Sequence, residues 1–356
     1  MHAPADGGGS LAPLGQTHWV IALGVLDQSP VPSGSTPAAA LGTTVALARA
    51  AERLGYRRYW LAEHHNTESL AGTAPEILTG HIAAATSSMR VGAGGVLLPY
   101  YSALKVAEVF RTLHALFPGR IDLGVGRAAG ADDVAAAALR RGGGAAADED
   151  HPGQVADLLG FLHGRIPPGH PFAGVRALPS GAGAPGLWIL GSSSDSAALA
   201  AALGLSYSYA HFISPSYGAR VVASYRDRFR PSPASPAPRV SVGVSVICAD
   251  TDARAERLAL SDDVWRLRRE GAERGPLPSV EEAEAYPATE LEHLLMAQNA
   301  RGRVVGAPDR ARDALLRLAQ DYGAGELMVL TVCHDPGARV RSYQLLAEAF
   351  ALEALE

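Results

Sequence analysis

Residues 89–127, MRVGAGGVLLPYYSALKVAEVFRTLHALFPGRIDLGVGR, contain the pattern that decides the fold class. The apolar run at 90–98 predicts a strand, and apolar residues at helical spacing in 104–116 predict the helix that follows it. A further apolar run at 120–126 predicts a second strand. Two buried strands joined by a packed helix form one unit of an α/β architecture with parallel strands.

The same alternation of strand and helix continues along the rest of the 356 residues. Apolar runs predict eight strands, at 18–26, 58–62, 90–98, 120–126, 187–190, 205–212, 239–249 and 326–332. Because both this count and the chain length match a (β/α)8 TIM barrel, we predict that fold rather than an open α/β sheet.

The less regular stretches set the predicted domain organisation. Residues 128–186, after the fourth strand, and the long stretch after the seventh strand are predicted to be insertions into the barrel. Within the second insertion, residues 271–303 are interpreted as a possible mobile lid. Residues 1–17 have the composition of a flexible leader, and residues 18–356 are predicted to form a single domain.

Charge and composition argue against several classes of partner. Lys and Arg number 31 against 36 Asp and Glu, so the net charge of −5 favours neither nucleic acid nor an anionic membrane. No apolar run approaches the roughly 18 residues of a membrane span. Cys248 and Cys333 have no zinc-ligand spacing, and scarce cysteines fit a cytoplasmic protein. We therefore expect a small, at most modestly charged substrate and no metal.

Functional residues of a (β/α)8 barrel collect at the carboxyl ends of its strands. The candidates at those ends are Asp27, Glu63, His64, His65, Gly94, Gly95, Arg127, the run at 191–194 and His211. Together they offer a cation, a cluster of hydroxyls beside a helix start, and an acid or base. Such a set suits a phosphorylated cofactor and proton transfer, and it leaves Asp27, His65 and His211 as candidates for substrate binding.

The run GSSSDS at 191–196 lies where a strand turns into a helix, so backbone N–H groups and hydroxyls can converge there on an anion. The alternative is an ordinary helix cap formed by Ser194 or Asp195. Arg127 ends a strand and is suited to a bidentate contact with phosphate. Its alternative is a salt bridge to Glu108 or to an acidic residue of the insertion.

Glu63, His64 and His65 are of residue types that bind metals. Adjacent strand residues point to opposite faces, however, so a straight strand would not offer both histidines to one ion. One histidine is better interpreted as an acid–base group or a hydrogen-bond donor to a cofactor, and the other as a core residue. The dinucleotide-like glycine pattern at 124–129 is a weak match, since the strand-end acid expected about 20 residues further on is missing.

Taken together, the motifs resemble one known family, the bacterial luciferase-like flavin monooxygenases. The segments that carry the resemblance are GVLDQSP at 24–30, LGYRRYWLAEHHN at 54–66, GAGGVLLPYYSALKVAEVFRTLHALFPGRIDLGVGR at 92–127, WILGSSSDSAALAAALGL at 188–205 and VVGAP at 304–308. The resemblance covers nearly everything from residue 19 onward. It implies a barrel, usually homodimeric, that takes reduced FMN from a separate NAD(P)H-dependent flavin reductase and uses dioxygen, through a flavin C4a-peroxide, to oxidise a small organic substrate.

The resemblance also implies roles for individual residues. His64 matches the catalytic histidine beside the flavin ring, and Gly94–Gly95 matches a non-prolyl cis peptide under that ring. Glu108 and Arg127 match positions near the ribityl and phosphate groups. The residues that match the phosphate loop are Gly191, Ser192, Ser193 and Ser196.

The sequence also leaves other functional hypotheses open. The same fold could serve an F420-dependent or FMN-dependent dehydrogenase or reductase, or a flavin-binding relative without turnover, and a metal-dependent barrel hydrolase is a further alternative. Light-emitting relatives carry a glutamate at the position of Ser192 and a reactive cysteine at that of Gly126. Bioluminescence is therefore not implied.

Overall fold

The computed structural model describes residues 21–127, 130, 132–140, 150–181, 183–233, 235–270 and 275–355. Within them, eight parallel strands close into a barrel, because the sixth strand pairs with the seventh as well as with the fifth. These strands are β1 (Ala22–Asp27), β2 (Arg58–Leu61), β3 (Arg90–Leu97), β4 (Ile121–Gly126), β5 (Gly186–Gly191), β6 (Ser206–Ala210), β7 (Val240–Cys248) and β9 (Glu326–Leu330). The predicted (β/α)8 barrel is confirmed.

A ninth strand, β8 (Arg303–Gly306), lies outside the closed ring and pairs only with the second half of β7. The helices surround the barrel. They are α1 (Pro37–Arg53), α2 (Pro75–Ala85), α3 (Ala103–Leu116), α4 (Asp133–Leu139), α5 (His151–His163), α6 (Ser194–Leu203), α7 (Gly218–Arg228), α8 (Asp252–Glu270), α9 (Val280–Glu284), α10 (Glu290–Asn299), α11 (Pro308–Tyr322) and α12 (Pro336–Ala349).

The unit β3–α3–β4 shows how the sequence produces the fold locally. Ser102 caps α3 by accepting a hydrogen bond from the backbone N–H of Lys105 at 3.4 Å, which satisfies one of the unpaired donors of the first turn. Val106, Phe110 and Leu113 recur at helical spacing and are buried against the barrel. The two strands then pair in parallel, with a shift of register between Gly94 and Val96.

The interior of the barrel is filled in layers. At the lower end, where the strands begin, the guanidinium of Arg58 lies between Asp122 at 2.5 Å and Glu326 at 2.6 Å, and its side chain is 1% exposed. Above it, Trp60 donates its indole N–H to Asp122 at 3.1 Å and meets Trp188 edge to face. The upper end, where the strands finish, is left open for a cavity.

Two parts of the sequence prediction were incomplete. The strand β8 was missed because it has only four residues and one strand neighbour, so no extended apolar run marks it. The helix α11 was also not assigned. The first strand begins at Ala22, whereas the prediction began at residue 18, and residues 18–20 lie outside the described chain.

The predicted insertions are described in part. Between β4 and β5 lie α4 and α5, and α5 packs against α3. In the second insertion, α9 and α10 each begin with a capping box, and Leu277 is fully buried. Leu277 donates its N–H to the carbonyl of Val31 at 2.9 Å and accepts from the N–H of Ser33 at 2.7 Å. The mobility of 271–303 stays a prediction, and the predicted leader at 1–17 lies outside the described residues.

A search of the described helices for a membrane-crossing segment, one both long and apolar enough to span a bilayer, found none.

The buried network at the lower end gives a testable prediction about stability. Arg58→Met should lower the free energy of unfolding by about 3–5 kcal/mol, because it leaves buried Glu326 without its cation and buried Asp122 with Arg90 alone. The matched control is Arg57→Met at the exposed neighbouring position, which should change that free energy by less than about 0.5 kcal/mol. Urea unfolding measures both, and equal effects of the two substitutions would contradict the role given to Arg58.

Candidate functional site

A cavity of about 710 Å3 opens at the carboxyl ends of the strands. This volume lies within the roughly 300–1,000 Å3 range of ligand pockets. We call it the upper cavity. The predicted site residues that line it are His64, His65, Gly94, Gly95, Arg127, Gly191, Ser192, Ser193 and Ser196. The barrel thus brings together residues that lie at the ends of four different strands.

Two adjacent glycines form part of the floor of the upper cavity. The peptide bond between Gly94 and Gly95 is cis, as the family resemblance predicts. A Cβ atom on Gly95 would lie 2.6 Å from the Gly124 carbonyl oxygen and 2.6 Å from Leu190 Cδ1, and one on Gly94 would lie 2.7 Å from Trp60 Cβ. Larger residues would therefore clash at both positions, and their absence leaves bare backbone for a flat ligand to approach.

The start of α6 forms an anion-binding corner. Ser193 is the N-cap, and its hydroxyl accepts the N–H of Ser196 at 3.4 Å, so the cap is Ser193 and neither Ser194 nor Asp195. A Cβ atom on Gly191 would lie 2.2 Å from the Ser196 hydroxyl. The first N–H groups of a helix attract anions, and Arg127 lines the same cavity with an exposed side chain. The described residues contain no ion pair between Arg127 and Glu108.

The carboxylate of Glu63 organises the loop after β2. It accepts hydrogen bonds from the N–H of Leu97 at 2.9 Å and the hydroxyl of Tyr101 at 2.7 Å, and it pairs with His65 Nε2 at 2.7 Å. Burial and the neighbouring Glu63 both raise the pKa of the Tyr101 phenol, so this hydroxyl stays a donor. Glu63 thereby fixes the orientation of the His65 imidazole.

His64 has a different environment from its neighbour. Its backbone N–H donates to the Gly72 carbonyl at 2.9 Å, while its buried Nδ1 has no hydrogen-bond partner among the described residues. Burial lowers the pKa of His64 to about 3, and the positive charge of Arg269 adds to this effect. The imidazole is therefore neutral near pH 7. A buried nitrogen without a partner, next to a cavity, is suited to a hydrogen bond with a ligand.

A sequence profile described as luciferase-like monooxygenase matches residues 21–325 of this chain. The chain belongs to the luciferase-like monooxygenase family. YceB of Bacillus subtilis (strain 168) is 45% identical over 331 residues, covering 93% of this chain and 100% of YceB. The luciferase-like monooxygenase of Escherichia coli (strain K12) is 37% identical over 329 residues, covering 92% of this chain and 97% of the relative.

Solved structures give the same result. The crystal structure of apo-MsnO8 is similar to this chain with a TM-score of 0.85 at 44% identity, covering 94% of this chain and 99% of MsnO8. Two more distant structures share the fold alone. One is the oxygenating constituent of 3,6-diketocamphane monooxygenase in complex with FMN, at 20% identity and a TM-score of 0.68. The other is an F420-dependent secondary alcohol dehydrogenase in complex with an F420-acetone adduct, at 15% identity and a TM-score of 0.64.

Sequence reasoning missed three residues that line the upper cavity. Trp265, Arg266 and Arg269 line the upper cavity from the last turns of α8. Arg266 pairs with Asp262 at 2.9 Å, and the guanidinium of Arg269 lies 4.7 Å from the Trp265 ring centroid. The signal was the cluster WRLRR at 265–269, which places two cations on one face of a helix.

Three predicted residues lie outside the upper cavity. Asp27 is fully buried and is bonded to the N–H of Ser29 and to the side chains of Tyr59 and Arg339. Burial alone would raise the pKa of Asp27, but Arg339 and Tyr59 outweigh it and hold that pKa below its usual value. His211 pairs through Nδ1 with the Tyr322 hydroxyl at 2.8 Å, and Glu108 lies on α3. None of these three residues lines the upper cavity, and their roles stay predictions.

Among the described residues, no group of three His, Cys, Asp or Glu side chains is arranged to hold an ion.

The low pKa of His64 predicts a specific pH dependence of stability. The folded protein binds this proton only near pH 3, whereas the unfolded chain binds it near 6.5, so the free energy of unfolding falls as the pH drops from 6.5 towards 3. One such group changes the free energy of unfolding by at most about 1.4 kcal/mol per pH unit. In urea unfolding at several pH values, His64→Gln should show a shallower decline than the native protein. Parallel pH profiles would contradict the assignment of a buried, neutral His64.

Proposed function

We propose that this luciferase-like monooxygenase binds reduced FMN in the upper cavity and uses dioxygen to oxidise a small organic substrate. The observation that supports this best is the content of a single cavity. A glycine floor, an anion-binding corner and a neutral histidine all line it. The names of the family and of the E. coli relative, both described as luciferase-like monooxygenase, also support oxygen chemistry.

The residues present fit FMN in three respects. The start of α6, with Ser192 and Ser193, suits the phosphate, and Arg127 adds a positive charge. The bare backbone of Gly94–Gly95 suits a planar ring, since any side chain there would clash. The unpaired Nδ1 of His64 suits a hydrogen bond with the ring or with substrate. When bound, the reduced flavin would supply the oxygen chemistry.

The protein's own contribution is orientation, proton transfer and exclusion of water. Because its imidazole is neutral, His64 can accept a proton, and the low pKa of the imidazole favours release of that proton afterwards. Leu26, Leu190 and Trp265 give the cavity apolar walls that reduce its water content. Glu63 holds the His65 imidazole in place by a hydrogen bond. The neighbouring His64 imidazole has no hydrogen-bond partner at Nδ1 among the described residues, so it is available to a ligand.

Within this proposal, His65 lines the cavity and is the remaining candidate for substrate contact from the sequence analysis. Asp27, His211 and Glu108 are not part of the proposed site. The partners proposed are a separate NAD(P)H-dependent flavin reductase, dioxygen and a second copy of the chain in a homodimer. A cytoplasmic location fits the scarcity of cysteine.

A second candidate function is hydride transfer with F420 or FMN, as in a dehydrogenase or reductase. The fold-level similarity to the F420-dependent alcohol dehydrogenase is the observation that favours it. Oxygen consumption separates the two, because hydride transfer uses no dioxygen. A flavin-binding relative without turnover would bind FMN but show no substrate-dependent flux.

The phosphate assignment predicts a loss of affinity. Arg127→Ala should weaken the binding of FMN by about 10- to 100-fold, because it removes a charge-assisted hydrogen bond to the phosphate. The control is Arg53→Ala, an exposed cation in the last turn of α1, which should leave the affinity unchanged. Anaerobic titration with reduced FMN measures both. Equal affinity of Arg127→Ala and the native protein would remove Arg127 from the phosphate site.

The role of His64 predicts a separation of binding from chemistry. His64→Gln should bind reduced FMN within about threefold of the native affinity but change the rate of the reaction with oxygen by about tenfold or more, since it removes the proton carrier. Mixing the anaerobic complex with oxygenated buffer, while recording flavin absorbance, gives that rate. An unchanged rate would mean that His64 has a structural role only.

A further inference from the structure

A second cavity, which we call the lower cavity, lies at the opposite end of the barrel from the upper cavity. Its volume is about 560 Å3. It is formed where the strands begin, since Arg58 and Arg90 open β2 and β3, Gly186 opens β5, and Arg239 immediately precedes β7. The charged and titratable residues that line it are Arg58, Arg90, Arg111, His114, Asp122, His163 and Arg239. Neither the proposed FMN site nor its substrate region reaches this end.

The lower cavity carries excess positive charge. Asp122 pairs with Arg58 and Arg90, and Glu326 pairs with Arg58 alone. Arg111 is bonded only to carbonyl oxygens, those of Pro179 at 2.8 Å and Leu162 at 2.5 Å. The Arg239 side chain makes neither a hydrogen bond nor an ion pair with the described chain. Two carboxylates thus face four guanidinium groups.

Two of the positive groups lie against the same aromatic ring, that of Trp188. The guanidinium carbons of Arg58 and Arg239 lie 5.0 Å and 5.4 Å from the centre of the same indole ring. Burial, and then repulsion from Arg58, lower the pKa of Arg239. The repulsion between these two cations raises the energy of the empty protein, and an anion bound near both would offset it.

A buried donor without a partner belongs to one of these arginines. Arg58 is 1% exposed, and its Nη2 has no hydrogen-bond partner among the described residues. A buried donor without an acceptor is destabilising, so proteins rarely leave one unless a ligand or water completes it. Guanidinium groups bind tetrahedral oxyanions well because their N–H groups match the spacing of the anion's oxygens.

We propose that the lower cavity is a binding site for a phosphate-type dianion, with Arg239 and the unpaired Nη2 of Arg58 as its principal donors. The dianion is either a free oxyanion or the phosphoryl end of a small metabolite. The cavity volume of about 560 Å3 leaves room for a larger ligand, and glycines 181, 183 and 186 are among the lining residues. A Cβ atom on Gly186 would lie 2.8 Å from Asp122 Oδ1 and 3.1 Å from Arg90 Nη2, so a side chain there would crowd this ion pair.

Arg239→Gln tests the proposal in a protein that also carries Arg127→Ala, which weakens phosphate binding in the upper cavity. Arg239 is exposed and makes no ion pair with described residues, so its replacement should not disturb folding, whereas replacing Arg58 would. Calorimetric titration with inorganic phosphate should give a Kd of about 1 mM or tighter in the Arg127→Ala protein. Adding Arg239→Gln should raise this Kd by about tenfold or more, through loss of a charged donor.

The matched control is Arg220→Gln, which makes the same charge change at an exposed position on α7 outside the lower cavity. It should leave the phosphate Kd unchanged. Equal weakening by Arg239→Gln and Arg220→Gln would overturn the site in favour of general charge attraction. A Kd above about 10 mM in the Arg127→Ala protein would overturn it as well.

Phenyl phosphate distinguishes the two sources of the dianion. Binding that is tighter than that of inorganic phosphate, and is lost on Arg239→Gln, supports a phosphorylated metabolite. Weaker binding than that of inorganic phosphate, with phosphate binding still lost on Arg239→Gln, supports a free oxyanion. Retained FMN binding in the single Arg239→Gln variant would show that the lower cavity and the proposed FMN site are separate. Loss of FMN binding there would overturn that separation.

Discussion

The guanidinium of Arg58 links three strands of the barrel. It lies just below the tryptophan pair, Trp60 and Trp188, in the barrel interior. It reaches Asp122 on β4 and Glu326 on β9 from its own position on β2. Charges this deeply buried are tolerated only when their partners are correctly placed, so the network constrains how these strands are arranged. The upper ends of β2 and β4 lead into His64 and Arg127. The geometry of the upper cavity therefore rests on an ion network at the far end of the barrel.

Much of the fold follows from local sequence. Eight apolar runs separated by helical patterns were sufficient to predict the closed barrel, because each β-strand and the helix after it repeats the same requirement for burial. β8 could not be found in this way, since it is short and pairs with only one strand. The sequence of helix α11 is strongly amphipathic. It was nevertheless not assigned as a helix, because it follows directly on the stretch that was interpreted as an irregular insertion.

Candidate site residues could be predicted where their place at the end of a strand decides what they face. They were harder to predict where their environment depends on residues distant in the chain. Strand ends correctly placed His64, Arg127 and the serine run around one cavity. Asp27 has the same kind of position, but its carboxylate is taken by Arg339, which is 312 residues away in the chain. The low pKa of His64 likewise depends on burial and on Arg269 of α8, which no local pattern around 63–65 reveals.

Leu277 has a consequence for how ligands exchange. Its two backbone hydrogen bonds tie the chain just after α8 to the turn between β1 and α1. That turn also carries Gln28, and the end of α8 carries Trp265, so both sides of this tether contribute to the wall of the upper cavity. A displacement of this turn must therefore either break both bonds or carry Leu277 with it. Exchange of any ligand that requires the turn to move then involves both segments together, and loop motions of this kind occur on the microsecond-to-millisecond scale.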